Sequence, residues 1–145
     1  MPRILADGWR GLGFGYGFEL AKQNICTVAD SYLTVRGDRS RFLGPDETWM
    51  FSGNGMTYTN LQADFFFKRV IAEHHVEKLI RQKPPLGPKP QVKKIVAGYV
   101  QGYNRYLRKT GVENLPDRTC RGADWVRPIT KLDVYRRFFE LGVMA

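Results

Sequence analysis

The chain has 145 residues, of which 43% are hydrophobic, and this is enough apolar material for the core of one domain. Its 23 Lys and Arg residues outnumber its 14 Asp and Glu residues, which gives a formal net charge of +9. Two cysteines exclude a disulfide-dense miniprotein and a four-cysteine zinc site. No stretch is long and apolar enough for a transmembrane helix, and Arg3 is not followed by an apolar segment as long as the h-region of a signal peptide. We therefore expect no membrane span and no signal peptide in this chain.

The positive charge lies in the second part of the chain. Residues 1–64 carry six Lys and Arg against seven Asp and Glu, whereas residues 65–145 carry seventeen against seven. A basic half can indicate a nucleic-acid-binding module. The basic residues are scattered rather than clustered, which favours solvated helix faces or an acidic partner chain. We therefore do not expect nucleic acid as the partner, and a basic helical nucleic-acid-binding module stays as an alternative.

The first part of the chain predicts a helix start near residue 8 and a helix over Glu19–Val35, with an ambiguous glycine-rich stretch between them. Pro2–Leu5 resembles the end of a strand, and Asp7 is a suitable N-cap for a helix that starts at residue 8 or 9. Apolar residues recur at helical spacing over Glu19–Val35, and Gly37 is the expected stop.

Within this segment, four glycines alternate with bulky residues over Gly11–Gly17. The pattern fits either a strand with one bare face or a helix onto which another backbone packs closely. It lacks the Lys-Ser/Thr ending of a phosphate-binding loop and the spacing of a dinucleotide loop, so close packing is the better interpretation.

The middle of the chain predicts a loop and then two helices. Asp38–Gly55 has the composition of a loop, and Asn60 is a candidate cap for a helix that runs to about Gln82. The proline-rich segment Pro84–Pro88 then predicts an extended connector. A clear apolar stripe over Val92–Leu107 predicts the next helix, which Gly111 ends.

The last element is a helix that opens with a capping box. Thr130 and Asp133 form the box, and apolar residues continue through Met144. The chain stops inside this apolar run. We therefore expect a mainly α chain, a single partial domain over residues 1–145 that is truncated at both ends.

The sequence contains few groups suited to catalysis. His74 and His75 are adjacent, so on a helix they point about 100° apart and do not share a metal easily. We expect no metal site, no cofactor and no catalytic residue in this chain. Cys26 and Cys120 form either a disulfide, if the protein is exported, or a reduced buried pair, and both alternatives stay open.

Several short strings occur in an order that resembles one family over nearly the whole chain. They are Gly11–Gly17, Gln23–Cys26, Gly37–Phe42, Asn60–Leu61, Asp64–Phe67, Gly98–Leu107, Leu115–Asp117, Cys120–Gly122 and Trp125–Ile129. This order is similar to the α-subunit region of the penicillin acylase family. Its nearest branch is that of aculeacin A acylase and the acyl-homoserine-lactone acylases.

The resemblance implies a fragment of an αββα N-terminal nucleophile hydrolase fold. In that family a precursor cuts itself into a small α-chain and a large β-chain. The first residue of the β-chain attacks an amide carbonyl, and its own α-amino group acts as general base. The implied partner is therefore the β-chain of the same precursor, in a heterodimer. The implied substrate is a small acyl amide: an acyl-homoserine lactone, a lipopeptide or an aliphatic penicillin.

The resemblance also places part of the acyl pocket in this chain. The helix after the Trp-Val-Arg-Pro-Ile string lines the pocket in the family, so Leu141, Gly142 and Met144 are the candidate substrate-binding residues. Plain helix packing is the alternative for these three. The family further implies a secreted or periplasmic protein and a chain that is inactive without its β-chain; a truncated, non-catalytic remnant is another alternative.

Overall fold

The structure is a computed structural model that describes residues 3–50 and 55–143. Within these ranges it contains six α-helices, one short 3-10 helix and one two-stranded hairpin. In chain order they are α1 (Trp9–Arg36), α2 (Arg39–Leu43), β1 (Thr48–Met50), β2 (Thr57–Thr59), α3 (Asn60–Ala72), α4 (His75–Ile80), α5 (Pro90–Thr110), the 3-10 helix (Val112–Asn114) and α6 (Lys131–Val143). The expectation of a mainly α chain is confirmed.

Four glycines allow the two long helices, α1 and α5, to pack backbone against backbone. A Cβ atom on Gly13 or Gly17 would collide with the main chain of α5, and one on Gly98 or Gly102 would collide with the main chain of α1. Of the two alternatives for the glycine run, the helix is the one observed. Each glycine costs a helix about 1 kcal/mol relative to alanine, so the close helix crossing must offset that cost.

The limits of α1 differ slightly from the prediction. The N-cap is Gly8, so no side chain caps the start of α1. The prediction of Asp7 as the cap was therefore wrong. At the other end, Gly37 adopts a left-handed conformation with φ of 66°, and its N–H donates to Thr34 O at 2.9 Å. That ending was predicted. No strand forms at residues 3–5, and Pro2 lies outside the described residues.

The segment predicted as a loop, Asp38–Gly55, contains α2 and β1 instead. The carboxylate of Asp64 accepts hydrogen bonds from the first two N–H groups of α2, those of Arg39 and Ser40, at 2.8 and 2.7 Å. These bonds satisfy donors that a helix start leaves free. Because the acceptor lies on α3, the local sequence could not show it.

The second predicted helix is two helices. Its cap is Thr59 rather than Asn60: the Thr59 hydroxyl accepts from Gln62 N–H, and the Gln62 side chain accepts from Thr59 N–H. The helix stops at Ala72, because His74 takes a positive φ of 50° before α4 begins. The expected run to Gln82 was therefore wrong, and the remaining turn is α4.

The last helix, α6, begins as predicted, and hydrogen bonds from α1 and α5 hold its first turn and the residues just before it. Asp133 N–H donates to the Thr130 hydroxyl, and Thr130 N–H donates to the Asp133 carboxylate, which confirms the capping box. The Arg36 guanidinium on α1 binds both carboxylate oxygens of Asp133, at 3.1 and 2.8 Å. On α5, Asn104 exchanges two hydrogen bonds with the backbone of Ile129 just before α6.

The hydrophobic core lies between α1, α5 and the segment that leads into α6. Its centre is Tyr103, which is fully buried and packs edge-on against Tyr32 with ring centroids 5.7 Å apart. Among the helices that the structure describes, none is long and apolar enough to cross a membrane.

Candidate functional site

A largely apolar cavity of about 410 Å³ lies between α1, α5 and α6. Its volume is within the range of about 300–1,000 Å³ that is typical of small-molecule sites. The aliphatic and aromatic residues that shape its walls include Leu20, Val28, Ile95, Val96, Phe138 and Leu141. A cavity of this composition binds a hydrocarbon group by removing it from water.

The contribution of α6 follows from its sequence pattern. Val134, Phe138 and Leu141 are spaced by four and three residues, which places them on one face of the helix. All three line the cavity. Phe138 and Leu141 remain 49% and 43% exposed, so the apolar wall continues onto the surface beside the cavity.

Two tyrosines form one wall, and neither is suited to acid–base chemistry. The Tyr32 hydroxyl donates to the Tyr99 hydroxyl at 3.1 Å. Burial raises the pKa of both tyrosines above the ordinary value, and the positive charge of Arg137 partly opposes the increase at Tyr99. Both therefore stay protonated at neutral pH and serve as walls and hydrogen-bonding groups.

Arg137 is the one cation among the described residues that line this cavity. Its guanidinium forms an ion pair with Glu140, one turn further along α6. The Glu140 side chain is completely buried, while that of Arg137 keeps 25% of its surface exposed. Burial raises the pKa of the Glu140 carboxyl, although the Arg137 charge opposes that increase.

The charged pair lies where two cavities meet. A second, smaller cavity of about 280 Å³ is lined by Glu140 and Trp49, and it shares Arg137, Thr27 and Ser31 with the first. Within the part of the chain that the structure describes, neither Glu140 oxygen accepts a hydrogen bond of good geometry. The Arg137 charge is therefore the main stabilisation of a carboxylate there.

Arg39 positions the hairpin against the helices that carry the site. Its side chain is almost fully buried, and it donates to Asn60 Oδ1, Asp30 Oδ1 and Thr34 Oγ1, each at 2.8 Å. Its guanidinium also lies 5.5 Å from the centroid of the Trp49 ring. These contacts join α1, α2, β1 and α3, and so they set one wall of the smaller cavity.

The predicted substrate-binding residues have different positions. Leu141 lines the apolar cavity. Gly142 is exposed, and a Cβ atom built on it would meet nothing within 4 Å. Met144 lies outside the described residues. A role in substrate binding stays a prediction for all three.

The two cysteines are joined in the structure. The Cys26–Cys120 disulfide has an S–S distance of 2.07 Å and links α1 to the loop before α6. It closes a segment with a sequence separation of 94 residues. Of the two alternatives that the sequence left open, the structure has the disulfide.

The histidines lie apart from the cavity. His74 is in the turn between α3 and α4, and the ring of His75 packs 5.3 Å from that of Phe139. Among the described residues, no group of three or more His, Cys, Asp and Glu side chains is placed to hold a metal ion.

Sequence reasoning missed Arg137 and Glu140 as members of the site. Their sequence positions give no clear signal, since each stands one position before Phe138 or Leu141 and so points about 100° away from that cavity-lining residue on the helix. The Arg39 cluster could not be found from the sequence either, because Asn60 lies 21 residues after Arg39 in the chain.

Comparisons with the sequences of known proteins show which family this chain belongs to. The sequence profile described as penicillin amidase matches residues 1–141. Aculeacin-A acylase from Actinoplanes utahensis is 37% identical over 151 aligned positions, which cover 100% of this chain and 18% of the relative. The acyl-homoserine lactone acylase PvdQ from Pseudomonas savastanoi pv. phaseolicola is 36% identical, over 94% of this chain and 16% of the relative. PvdQ from Pseudomonas putida is 34% identical over the same shares. This chain thus spans 16–18% of the length of these relatives, and it belongs to the penicillin amidase family.

Proposed function

We propose that this chain is the α-subunit portion of an N-terminal nucleophile acylase that hydrolyses the amide bond of N-acyl substrates. The family match over residues 1–141 is the observation that carries this proposal. The chain supplies scaffold and part of the acyl pocket. The β-chain of the same precursor supplies the nucleophile and completes the αββα fold, and this chain is inactive without it.

The cavity between α1, α5 and α6 supports the role in acyl binding. It is lined mostly by apolar side chains, one of which is the predicted pocket residue Leu141. The names of the relatives point to two substrate classes, acyl-homoserine lactones and the lipopeptide aculeacin A. An aliphatic penicillin is a third acyl amide of the same kind. Each buried methylene contributes about 0.8 kcal/mol, so each should improve binding about fourfold until the cavity is full.

The disulfide supports the proposed location. Disulfides persist in oxidising compartments, and Cys26 and Cys120 are bonded to each other. We therefore propose that the protein is secreted or periplasmic. Thiol labelling of the native protein should modify neither cysteine, and labelling of both would contradict the proposal.

The experiment that tests the function begins with the native protein, purified from its source without denaturation. Intact mass analysis should find this chain bound to a much larger second chain that begins with Ser. The complex should release fatty acid from long-chain acyl amides. A chain recovered alone, or a complex that hydrolyses no acyl amide, would refute the proposal.

A substitution tests the role of the cavity separately. Leu141→Trp in the complete acylase places a larger ring in the cavity, so hydrolysis of dodecanoyl amides should fall more than hydrolysis of butanoyl amides. Leu61→Trp is the matched control, because Leu61 is exposed on α3. Equal effects of the two variants on chain-length selectivity would place the acyl chain elsewhere.

A further inference from the structure

We infer that the cavity between α1, α5 and α6 is a site for a free fatty acid, with the hydrocarbon tail in the cavity and the carboxylate on Arg137. This inference rests on the proposed function in one respect: hydrolysis of an acyl amide releases such an acid. It goes further by assigning a charged headgroup to a residue of this chain. The site would then distinguish the anionic product from the neutral amide substrate.

The first support is the position of a single cation in an apolar site. Of the described residues that line the cavity, Arg137 alone carries a positive charge, and most of the others are apolar, among them Leu20, Val28, Ile95 and Phe138. A guanidinium binds a carboxylate through two parallel N–H···O bonds, and this geometry favours carboxylate over alcohol or amide. A cavity with this lining therefore matches an amphipathic anion better than a purely apolar ligand.

The second support is that Arg137 keeps donors available. Its Nη1 atom faces Glu140 Oε2, and no other described residue bonds to its guanidinium. The side chain retains 25% exposure, so a ligand can reach it. Glu140, by contrast, is completely buried and lines only the smaller cavity, whereas Arg137 lines both cavities.

The third support is a set of hydroxyl groups beside the arginine. Thr27 lines the same cavity, and so does Tyr99, whose hydroxyl accepts the Tyr32 proton and so keeps its own proton to donate. The Ser31 hydroxyl also lines the cavity, but it donates to the Thr27 carbonyl oxygen at 3.1 Å. A carboxylate has about four acceptor positions, and one arginine satisfies only part of them. The Thr27 and Tyr99 hydroxyls therefore provide further donors in the cavity.

The experiment compares two ligands that differ only at the headgroup. Isothermal titration of the disulfide-bonded 145-residue chain with dodecanoate and with dodecanol, both below their aggregation limits, measures the headgroup contribution directly. We expect dodecanoate to bind at least about tenfold more tightly, since a hydrogen bond between charged groups is worth that factor or more. Equal affinities for the two ligands, or no binding of either, would overturn the inference without any variant being needed.

Two variants identify the residue responsible, and they act in opposite directions. Arg137→Met should lower dodecanoate affinity about tenfold and leave dodecanol unchanged. Glu140→Gln should raise dodecanoate affinity, because it removes the charge that competes for the guanidinium. Arg105→Met is the control, since Arg105 is exposed on α5 and its loss changes the net charge equally. An equal loss of dodecanoate binding in the Arg137 and Arg105 variants would indicate bulk charge and refute the site.

The test of the fatty-acid site and the test of the proposed function can fail independently. A complete acylase that hydrolyses acyl amides, combined with equal binding of dodecanoate and dodecanol, refutes only the fatty-acid site. Tight dodecanoate binding to this chain, combined with a native complex that hydrolyses no acyl amide, refutes only the proposed function. If the site exists, added dodecanoate should inhibit the acylase more strongly than dodecanol, and Arg137→Met should remove that difference.

Discussion

The crossing of α1 and α5 leads to a sharp prediction for Gly102→Ala. A Cβ atom on Gly102 would collide with the carbonyl oxygen of Phe14, and its next neighbour is the N atom of Phe18 at 2.7 Å. Both contacts are main-chain atoms, which cannot move aside by a change of rotamer. The helices must therefore separate, and the core side chains between them lose contact.

The magnitude follows from two opposing terms. Overpacking in a core costs about 1–3 kcal/mol, and a backbone collision belongs at the upper end of that range. Alanine is also a better helix former than glycine by about 1 kcal/mol, which offsets part of the cost. We expect Gly102→Ala to lower the free energy of unfolding by about 2 kcal/mol.

Urea unfolding of the disulfide-bonded chain, followed by circular dichroism, measures this change. Two alanine variants on other helical faces serve as controls. Gly142→Ala should increase the free energy of unfolding by up to about 1 kcal/mol, because nothing lies within 4 Å of its Cβ position. Gly15→Ala should change little, because its Cβ would be 2.6 Å from the movable Ile4 side chain. If Gly102→Ala is as stable as Gly142→Ala, the backbone packing described here is wrong.

Three further predictions concern buried polar groups and the disulfide. Burial alone would raise the pKa of Asp133, but the hydrogen bonds from Arg36 and Thr130 outweigh burial and lower that pKa. The Asp133 carboxylate therefore stabilises the fold above about pH 4, and this stabilisation is lost as the pH falls through the lowered pKa. Asp133→Asn should therefore destabilise the chain at pH 7, and the loss should shrink as the pH falls below about 4. A pH-independent loss in urea titrations would contradict this. Arg39→Met should cost about 1–3 kcal/mol, because it leaves the buried oxygens of Asn60 and Thr34 without their donor, whereas the Asp30 side chain is 34% exposed. An unchanged urea midpoint would show that the cluster is dispensable. Replacing Cys26 and Cys120 by Ser should lower the free energy of unfolding by about 4 kcal/mol, because the disulfide joins residues 94 positions apart. If a reducing agent leaves the stability of the native chain unchanged, the bond is not present.

The helical architecture was largely predictable, because helix periodicity and capping are local. The stripe over Val92–Leu107 predicted α5, and Gly111 ends it as expected. The Thr130–Asp133 box also predicted the start of α6. In each case the side chains that specify the element lie within one or two turns of it, so the sequence pattern was sufficient.

Other elements depend on partners that are distant in the chain. The helix α2 forms where Asp64 supplies acceptors to Arg39 and Ser40, and a loop was predicted there. The break at His74 was also missed, because a positive φ in a histidine has no clear local signal. A sequence pattern does not show which distant acceptor satisfies a helix start.

The family, the helical class and the apolar face of α6 that carries Leu141 follow from the amino-acid sequence alone. Its order of short strings is long enough to be specific, and its periodicity reports which side of each helix is apolar. The packing of the helices is needed to show that α1, α5 and α6 enclose a cavity, and that the Arg137–Glu140 pair lies between this cavity and the smaller one. A cavity is the space that remains after separate helices pack, so its shape and its charged groups depend on contacts between elements rather than on any one of them.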